Sequence, residues 1–407
     1  MKIVCISQVY WPDTASVAQH LVDLLQALSD HGHEVSVITS RHNYEHPEVI
    51  YPASECHNGV GIHRLFNTGF GKATKWGRLT DFLSFNFLIV CKLLFLTRSS
   101  CDVLVGLTSP PLLSYIGMKV ARFRNIRFVY WTMDLQPELS VVAGYIKEGS
   151  PIAKSMQERG DYIFRHSDRI IVLDDYMKQH ICRRLCEERS GVDVIPVWPV
   201  MENVYEGKRG ENPFRKENGF GDRIVIMYSG NHSVMHPLTT LLEAAVKLKD
   251  DGRFLFVHIG GGVRLQEVVD YKEKYRLENI MILPYQPRER IHLSLGSADI
   301  HVVSLGEGCV GYTHPNKIYG AMFINKPVLY IGPAQSHITD ILDHCPGNIC
   351  VSHGETDLLV RKIVEFAGMS ESERDDIGKR NRIYAETYLH PDLLLEKMVE
   401  SIETISL

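Results

Sequence analysis

The sequence contains no apolar run long enough to cross a bilayer, which takes about 20 residues. Its longest apolar stretch, residues 82–96, is interrupted by Asn86 and Lys92. We therefore expect a buried or interfacial helix there rather than a transmembrane one. The opening residues 1–7 lack the apolar core and the cleavage site of a signal peptide, and they are predicted to form a strand instead.

Cysteine pairs and an excess of one charge are also absent. The nine Cys include no Cys-x-x-Cys pair, which argues against a zinc site or a disulfide framework and fits a reducing compartment. The net charge is -5, so nucleic acid is not an expected partner. No Asp-x-Asp motif occurs in the loops after the predicted strands, so no metal or other cofactor is expected. Together these features predict a cytoplasmic protein.

Short apolar segments alternate with helical stretches along the chain, which at 407 residues exceeds one typical core. This alternation predicts two doubly wound (Rossmann-like) α/β domains with parallel sheets. The N-terminal domain is expected at 1–201, with a C-terminal helix at about 390–407 packed back on it. A polar, glycine-rich linker is expected at 202–222, and the second domain at 223–389. The predicted strands are 2–7, 34–39, 61–65, 102–107, 126–131, 169–173, 193–196, 224–228, 254–259, 279–283, 299–303, 327–331 and 348–351.

In open α/β sheets ligands bind at the carboxyl ends of the strands, so the loops at those ends carry the candidate site residues. Two strands of the second domain end in glycine-rich turns. The candidates in and beside these turns are Gly230, Asn231, Gly260, Gly261, Gly262 and Arg264. Glycines let a ligand approach the backbone and its N–H groups closely. Flexible turns without a ligand are the alternative.

The segment after the strand at 299–303 carries the strongest signal. Its candidate residues are His314, Pro315, Asn316, Lys317 and Tyr319. Pro315 suits the first turn of a helix, where its missing N–H costs nothing, and the N-terminus of a helix attracts anions. With the charge of Lys317, the segment predicts a diphosphate-binding site. A solvated surface lysine is the alternative.

Two side chains of the first domain are further candidates. Asp134 directly follows the strand at 126–131, where a carboxylate can contact a ligand, although a turn or capping role is the alternative. His20 lies in the first helix and is expected to face away from the apolar stripe that contains Leu21 and Leu24. That position is more typical of a surface histidine.

In this order, these motifs resemble those of the retaining GT-B glycosyltransferases of family 4, in particular bacterial members that build surface polysaccharides. The resemblance covers nearly the whole chain. It rests on residues 31–35 (HGHEV), 130–138 (YWTMDLQPE), 228–231 (YSGN), 258–262 (HIGGG), 315–319 (PNKIY) and 325–328 (NKPV). It implies two domains that face a cleft, with the nucleotide-sugar donor in the C-terminal domain and the acceptor in the N-terminal one.

Four positions depart from the family pattern. Where family members carry two Glu, this chain has Tyr312 and Gly320. Where they carry an Arg and a Lys after the first strand of the second domain, it has Asn231 and His236. The resemblance therefore implies that other cations and the glycine amides bind the diphosphate.

The expected function is transfer of a sugar from a nucleoside-diphosphate sugar to a glycan or polyprenyl-linked acceptor, with retention of anomeric configuration. Lys317, Arg264 and the glycine amides are expected to hold the diphosphate without a metal. Asp134 and His20 are expected to orient the acceptor, which makes them, with Lys317, the catalytic candidates. A nucleotide-sugar epimerase of the same fold and a non-catalytic partner protein are the alternatives.

A peripheral membrane contact is also expected. Lys72, Lys75 and Arg78, with Trp76, precede the apolar stretch 82–96. Basic and aromatic residues beside an apolar helix are typical of an interfacial segment, which would place the protein at the inner face of the cell membrane. A core helix packed on the sheet of the first domain is the alternative for 82–96.

Overall fold

A computed structural model of the chain describes residues 1–13, 15–43, 46–70, 75–108, 111–200 and 203–405. Its residues form two compact units. Unit 1 comprises Met1–Val197 and Pro391–Leu407, and unit 2 comprises Trp198–His390. Each unit is an α/β unit built on a sheet that is mainly or wholly parallel, as the sequence predicts.

The sheet of unit 1 has eight strands in the order β3-β4-β2-β1-β5-β6-β7-β8. The strands are β1 (Lys2–Ile6), β2 (Glu34–Ser40), β3 (Ser54–His57), β4 (Val60–Leu65), β5 (Val103–Leu107), β6 (Arg127–Trp131), β7 (Arg169–Val172) and β8 (Val192–Val194). Seven of them match predicted segments. Strand β3, which was not predicted, pairs antiparallel with β4 at the edge of the sheet. Its four residues, Ser-Glu-Cys-His, give no apolar signal.

Among the described residues of unit 1, six helices connect these strands. They are α1 (Ser16–Asp30), α2 (Lys75–Leu93), α3 (Pro111–Arg124), α4 (Glu138–Val142), α5 (Pro151–His166) and α6 (Asp175–Leu185). Helix α1 buries Leu21, Leu24 and Leu28 against the sheet, which is the apolar stripe seen in the sequence. Among the described residues, no helix combines the length and apolar character that crossing a bilayer requires.

The sheet of unit 2 has six parallel strands in the order β11-β10-β9-β12-β13-β14. The strands are β9 (Ile224–Ser229), β10 (Phe254–Ile259), β11 (Ile280–Leu283), β12 (Ile300–Ser304), β13 (Val328–Ile331) and β14 (Ile349–Val351). Alternate residues of the central strands enter apolar clusters on opposite faces: Phe254 and Phe256 belong to one cluster, Leu255 and Val257 to the other. A sheet buried on both faces explains why its strands are apolar throughout.

Unit 2 contains eight helices among its described residues. They are α7 (Pro213–Glu217), α8 (Thr239–Lys247), α9 (Leu265–Tyr275), α10 (Ile291–Gly296), α11 (Lys317–Phe323), α12 (His337–Asp343), α13 (Thr356–Gly368) and α14 (Glu371–Tyr388). The chain then returns to unit 1 as α15 (Pro391–Glu403). There the Ser401 hydroxyl donates to Asp193 at 2.7 Å, and the His33 ring lies 2.8 Å from Glu403.

Of the segment 202–222, expected as a linker, the described residues 203–222 are built into unit 2. Phe214 and Phe220 are buried in its core. Arg215 Nη1 lies 3.2 Å from Asp299 Oδ2, and Arg209 Nη2 donates to the same oxygen at 3.0 Å. Burial alone would raise the pKa of Asp299, but the hydrogen bond from Arg209 and the two guanidinium charges lower it. The glycines of this segment resembled a linker, whereas its two Phe and two Arg residues anchor it, so unit 2 begins at Trp198 rather than at 223.

Candidate functional site

Two tight turns end strands β9 and β10 in unit 2. Gly230, Gly260 and Gly262 have φ angles of +125°, +123° and +122°, which residues with a Cβ rarely adopt. A Cβ on Gly260 would lie 2.3 Å from Gly230 O, and one on Gly262 would lie 2.2 Å from Asn231 Oδ1. The turns therefore interlock so closely that both positions require glycine.

Backbone hydrogen bonds fix these turns. Gly230 N donates to Ile259 O at 2.8 Å, and Gly260 N donates to Leu283 O at 2.9 Å. The sequence predicts that all three glycines of residues 260–262 offer N–H groups to a ligand. The Gly260 amide does not, because it already donates to Leu283 O. The amides of Gly261 and Gly262 have no acceptor within the part of the chain that the structure describes. Only these two of the three amides are therefore open to an anion.

Lys317 reaches back from the start of α11 to the first of these turns. Its Cε lies 3.0 Å from the position that a Cβ on Gly230 would occupy, and its Nζ lies 5.0 Å from the ring centre of Tyr228. The missing side chain of Gly230 thus makes room for the lysine. Burial lowers the pKa of Lys317 to about 8. None of the ion pairs among the described residues includes this ammonium, so it is a cation without a carboxylate partner.

Three histidines, His232, His236 and His258, lie around these turns but add no positive charge to the site. Nδ1 of His236 donates to Ser304 O at 2.7 Å, and the rings of His232 and His258 meet at 3.3 Å. Burial lowers the pKa of His232 and lowers the pKa values of His236 and His258 to about 3. All three are neutral at pH 7, so the positive charge at these turns comes from Lys317. Tyr228 and His236 were not among the predicted site residues.

The segment ahead of α11 differs from the expectation in one respect. Helix α11 begins at Lys317 with Asn316 as its N-cap, so Pro315 precedes the helix instead of forming its first turn. The rings of His314 and Tyr319 are hydrogen-bonded to each other, and Tyr319 is fully buried. His314 and Tyr319 therefore anchor this segment in unit 2, and Lys317 supplies the positive charge of the segment.

Arg264, the second predicted phosphate ligand, is engaged inside unit 2. Its guanidinium lies 2.6 Å from Glu267 Oε2, and Glu267 also accepts a hydrogen bond from Thr239 at 2.7 Å. The carboxylate neutralises the charge of Arg264, in contrast to Lys317. The ring of Tyr285 lies instead against the glycine turn, 3.1 Å from the Cβ position of Gly260.

In unit 1 the candidates lie at the carboxyl edge of β1 and β6. His20 is buried rather than at the surface as expected, and its Nδ1 donates to Ser16 O at 2.7 Å. This bond to the preceding turn fixes the orientation of the ring. Asp134 is half-buried in the loop after β6, and the neighbouring Met133 N donates to Thr108 Oγ1 at 3.0 Å. That bond ties the loop after β6 to the end of β5.

A buried polar network that the sequence did not indicate supports the Asp134 loop. The Arg184 side chain is 4% exposed and lies 3.0 Å from Glu138 and 2.5 Å from Asp161. It also donates to Gln136 O at 3.0 Å. Burial alone would raise the pKa of Glu138, but the hydrogen bond from His180 and the charge of Arg184 lower it. The loop after β6 is therefore held by side chains.

Residues 17–197 match the family model described as Glycosyltransferase Family 4. The matched residues all lie within unit 1. The chain is 25% identical over 268 residues to the probable glycosyltransferase WbjE of Pseudomonas aeruginosa, a match that covers 64% of this chain and 66% of WbjE. It is 22% identical to the putative colanic acid biosynthesis glycosyl transferase WcaI of Escherichia coli K12, covering 99% of this chain and all of WcaI.

A similar solved structure is that of HepE (Alr3699) from Anabaena in complex with UDP and glucose. It is 13% identical, covers 99% of this chain and 100% of HepE, and has a TM-score of 0.70. At this identity the likeness concerns the fold, and it confirms the predicted GT-B fold with its two α/β domains.

Proposed function

We propose that this protein transfers a sugar from a nucleoside-diphosphate sugar to a glycan or polyprenyl-linked acceptor, with retention of anomeric configuration. The family model and the glycosyltransferase names of WbjE and WcaI support the reaction class. The complex of HepE with UDP and glucose supports a nucleotide-sugar donor. The colanic acid pathway named for WcaI supports an acceptor in polysaccharide biosynthesis.

Lys317 is the observation that carries the proposal. The leaving group of the reaction is a diphosphate, which gains negative charge as the glycosidic bond breaks. A desolvated cation without a carboxylate partner stabilises such charge more strongly than a solvated one, because the surrounding protein screens it less. The open amides of Gly261 and Gly262 supply further donors in the same group of turns. We assign the diphosphate to these three groups.

In unit 1, Asp134 and His20 are the groups that we propose for the acceptor. A half-buried carboxylate on a loop held by the Arg184 network can orient an acceptor hydroxyl, and it could equally contact a hydroxyl of the donor sugar. The ring orientation of His20 is fixed by its bond to Ser16 O, as positioning a hydroxyl requires. A polyprenyl-linked acceptor would bring the protein to the inner face of the cell membrane.

The test is a thermal-shift panel of nucleotides and nucleotide-sugars, since a ligand that binds the folded state raises its stability. With the donor identified, Lys317→Ala should weaken donor binding or turnover by at least about tenfold, or about 1.4 kcal/mol, with little change in melting temperature. Lys249→Ala is the matched control, because Lys249 is an exposed lysine of the same unit. Unchanged kinetics in Lys317→Ala would remove Lys317 from the site.

The same assay tests the remaining parts of the proposal. NMR of the product should show the anomeric configuration of the donor. Excess EDTA should leave transfer intact, because Lys317 and the amides take the place of a metal; loss of activity restored by manganese or magnesium would contradict this. Isomerisation of the donor without an acceptor would favour an epimerase. No thermal shift with any nucleotide-sugar at millimolar concentration would favour a non-catalytic protein.

A further inference from the structure

Helix α2 of unit 1 has two apolar faces. On one side Phe85, Ile89 and Leu93 are completely buried against the unit. On the other, Leu83 and Phe87 are 52% and 68% exposed. Surface helices of globular proteins present polar residues to water, so an exposed apolar face on a helix that already buries its opposite face calls for an explanation.

The exposed face continues past the end of α2 to a corner that it shares with α3. Phe95 and Phe123 are 83% and 81% exposed, the highest values for large apolar side chains among the described residues. Arg124 Nη2 donates to Leu94 O at 2.9 Å, and Arg98 Nη1 donates to Asn125 O at 2.6 Å. These two bonds join the ends of the helices, so Phe95 and Phe123 belong to one surface. We call Leu94, Phe95, Arg98, Phe123, Arg124 and Asn125 the α2–α3 corner.

The charge around the α2–α3 corner is mainly positive. Residues 82–133 contain a single acidic residue, Asp102, which accepts a hydrogen bond from Lys2 N at 2.7 Å. They also contain the basic residues Lys92, Arg98, Lys119, Arg122, Arg124 and Arg127. Of these, Arg127 pairs with Asp168 at 2.7 Å. Lys92, Arg98, Arg122 and Arg124 take part in none of the ion pairs that the described residues form, so the corner keeps its full positive charge.

We propose that the α2–α3 corner docks on the surface of an anionic lipid bilayer. Exposed Phe side chains can enter the boundary between headgroups and acyl chains, while the surrounding Arg and Lys side chains contact anionic headgroups. The charge favours a bilayer because an anionic bilayer is negative over its whole surface, and the basic residues around the corner outnumber the one acidic residue, Asp102. Lys72, Lys75 and Arg78, expected above as a membrane contact, belong to the part of the chain whose side chains the structure does not describe. The corner is built from other residues.

This proposal assigns a defined surface to the membrane contact suggested above. It rests on the proposed function, whose lipid-linked acceptor would bring the protein to a membrane. It can be tested without donor or acceptor. In a sedimentation assay, the full-length protein should bind phosphatidylglycerol vesicles at low salt, bind phosphatidylcholine vesicles far less, and be released at high salt. Phe95→Ser with Phe123→Ser should lower the partition coefficient about tenfold or more, with the melting temperature unchanged because both side chains are exposed.

A second variant tests the charge independently of the apolar side chains. Lys92→Gln with Arg122→Gln should also lower partitioning about tenfold and reduce its dependence on salt. The matched controls are in other parts of the surface. Ile383→Ser is the apolar control, since Ile383 is 64% exposed on α14, and Lys249→Gln with Lys397→Gln is the basic control. Both should bind vesicles like the unsubstituted protein.

Three outcomes would overturn the proposal. They are the absence of vesicle binding by the unsubstituted protein, equal binding to neutral and anionic vesicles, and full binding by the Phe95→Ser, Phe123→Ser protein. Self-association that this variant abolishes, in a protein that does not bind vesicles, would assign the corner to a second copy of the chain. Failure of sugar transfer with vesicle binding intact would instead count against the proposed function alone, so the two ideas fail separately.

Discussion

The two units contain the same kind of sheet, but the carboxyl edges of their strands are built differently. In unit 2 the edge is made of backbone: glycines at positive φ interlock through main-chain bonds, and Lys317 crosses the space that Gly230 leaves open. In unit 1 the corresponding edge is made of side chains. There Arg184 and Glu138 hold the loop that bears Asp134, and His20 is fixed by the preceding helical turn.

This difference fits the ligands that we propose for the two units. Backbone amides and one desolvated lysine are suited to a diphosphate, whose charge is the same in every nucleotide-sugar. Carboxylate and imidazole side chains are suited to hydroxyl groups, which differ in number and direction from one acceptor to the next. We therefore expect an added side chain to destabilise the carboxyl edge of the sheet in unit 2. In unit 1 we expect the removal of a side chain to destabilise the corresponding edge.

Removal of a side chain in unit 1 should have the largest effect. Arg184→Met keeps most of the volume but removes the guanidinium from the largely buried carboxylates of Glu138 and Asp161, while His180 still contacts Glu138 at 3.2 Å. Breaking such a pair costs about 3 kcal/mol. We expect a loss of unfolding free energy of this size in urea denaturation. Arg183→Met is the control, because Arg183 is exposed. A loss below about 1 kcal/mol would show that side chains do not hold the edge of unit 1.

Addition of a side chain in unit 2 should have the next largest effect. Gly260→Ala places a Cβ 2.3 Å from Gly230 O at a φ of +123°, so the two turns must separate and the backbone is strained by about 2–3 kcal/mol. The same urea experiment measures this loss, and donor binding should weaken with it. Gly252→Ala is the control, since no atom outside its neighbours lies within 4 Å of that Cβ position. Equal stability of the two variants would contradict the interlocking of the turns.

Much of this architecture could be predicted because buried parallel strands are apolar on both faces. All six strands of unit 2 appear within one or two residues of their predicted bounds, and the glycine turns and Lys317 follow from the family motifs. Strand β3 was missed because it lies at the edge and is polar. The segment 202–222 was misjudged because Arg209 and Arg215 are anchored by Asp299, which is distant in sequence.

The contact of Lys317 with Tyr228 could not be predicted for the same reason, because it depends on the register of β9 against β12. The pair of Arg264 and Glu267 is local, three residues apart at the start of α9, and its spacing could have indicated it. His20 was expected at the surface because only the apolar positions of α1 were counted as buried. The spacing of apolar residues predicts which face of a helix is buried, whereas the width of the buried face depends on the elements that pack against it.

The smallest predicted effect concerns the charge of Lys317. With a pKa lowered by burial to about 8, the free protein loses this charge as the pH rises from about 7.5 to 9, so UDP affinity should fall by up to about tenfold. The nearby histidines are already neutral there, and burial raises the pKa of Tyr228, so these groups do not titrate in this window. The phosphates of UDP are already fully ionised, since their last proton leaves near pH 6.

The stability of the free protein should change in the opposite direction. Between about pH 8 and the ordinary lysine value near 10.4, the unfolded chain holds a proton that folded Lys317 has lost, so the free energy of unfolding rises with pH. Calorimetric titration with UDP and thermal melts of the free protein measure the two effects. Lys317→Met should abolish both, since it keeps the aliphatic packing beside Tyr228 without the charge. UDP affinity that stays constant across this window in the unsubstituted protein would mean that the diphosphate is bound by the backbone of unit 2 alone.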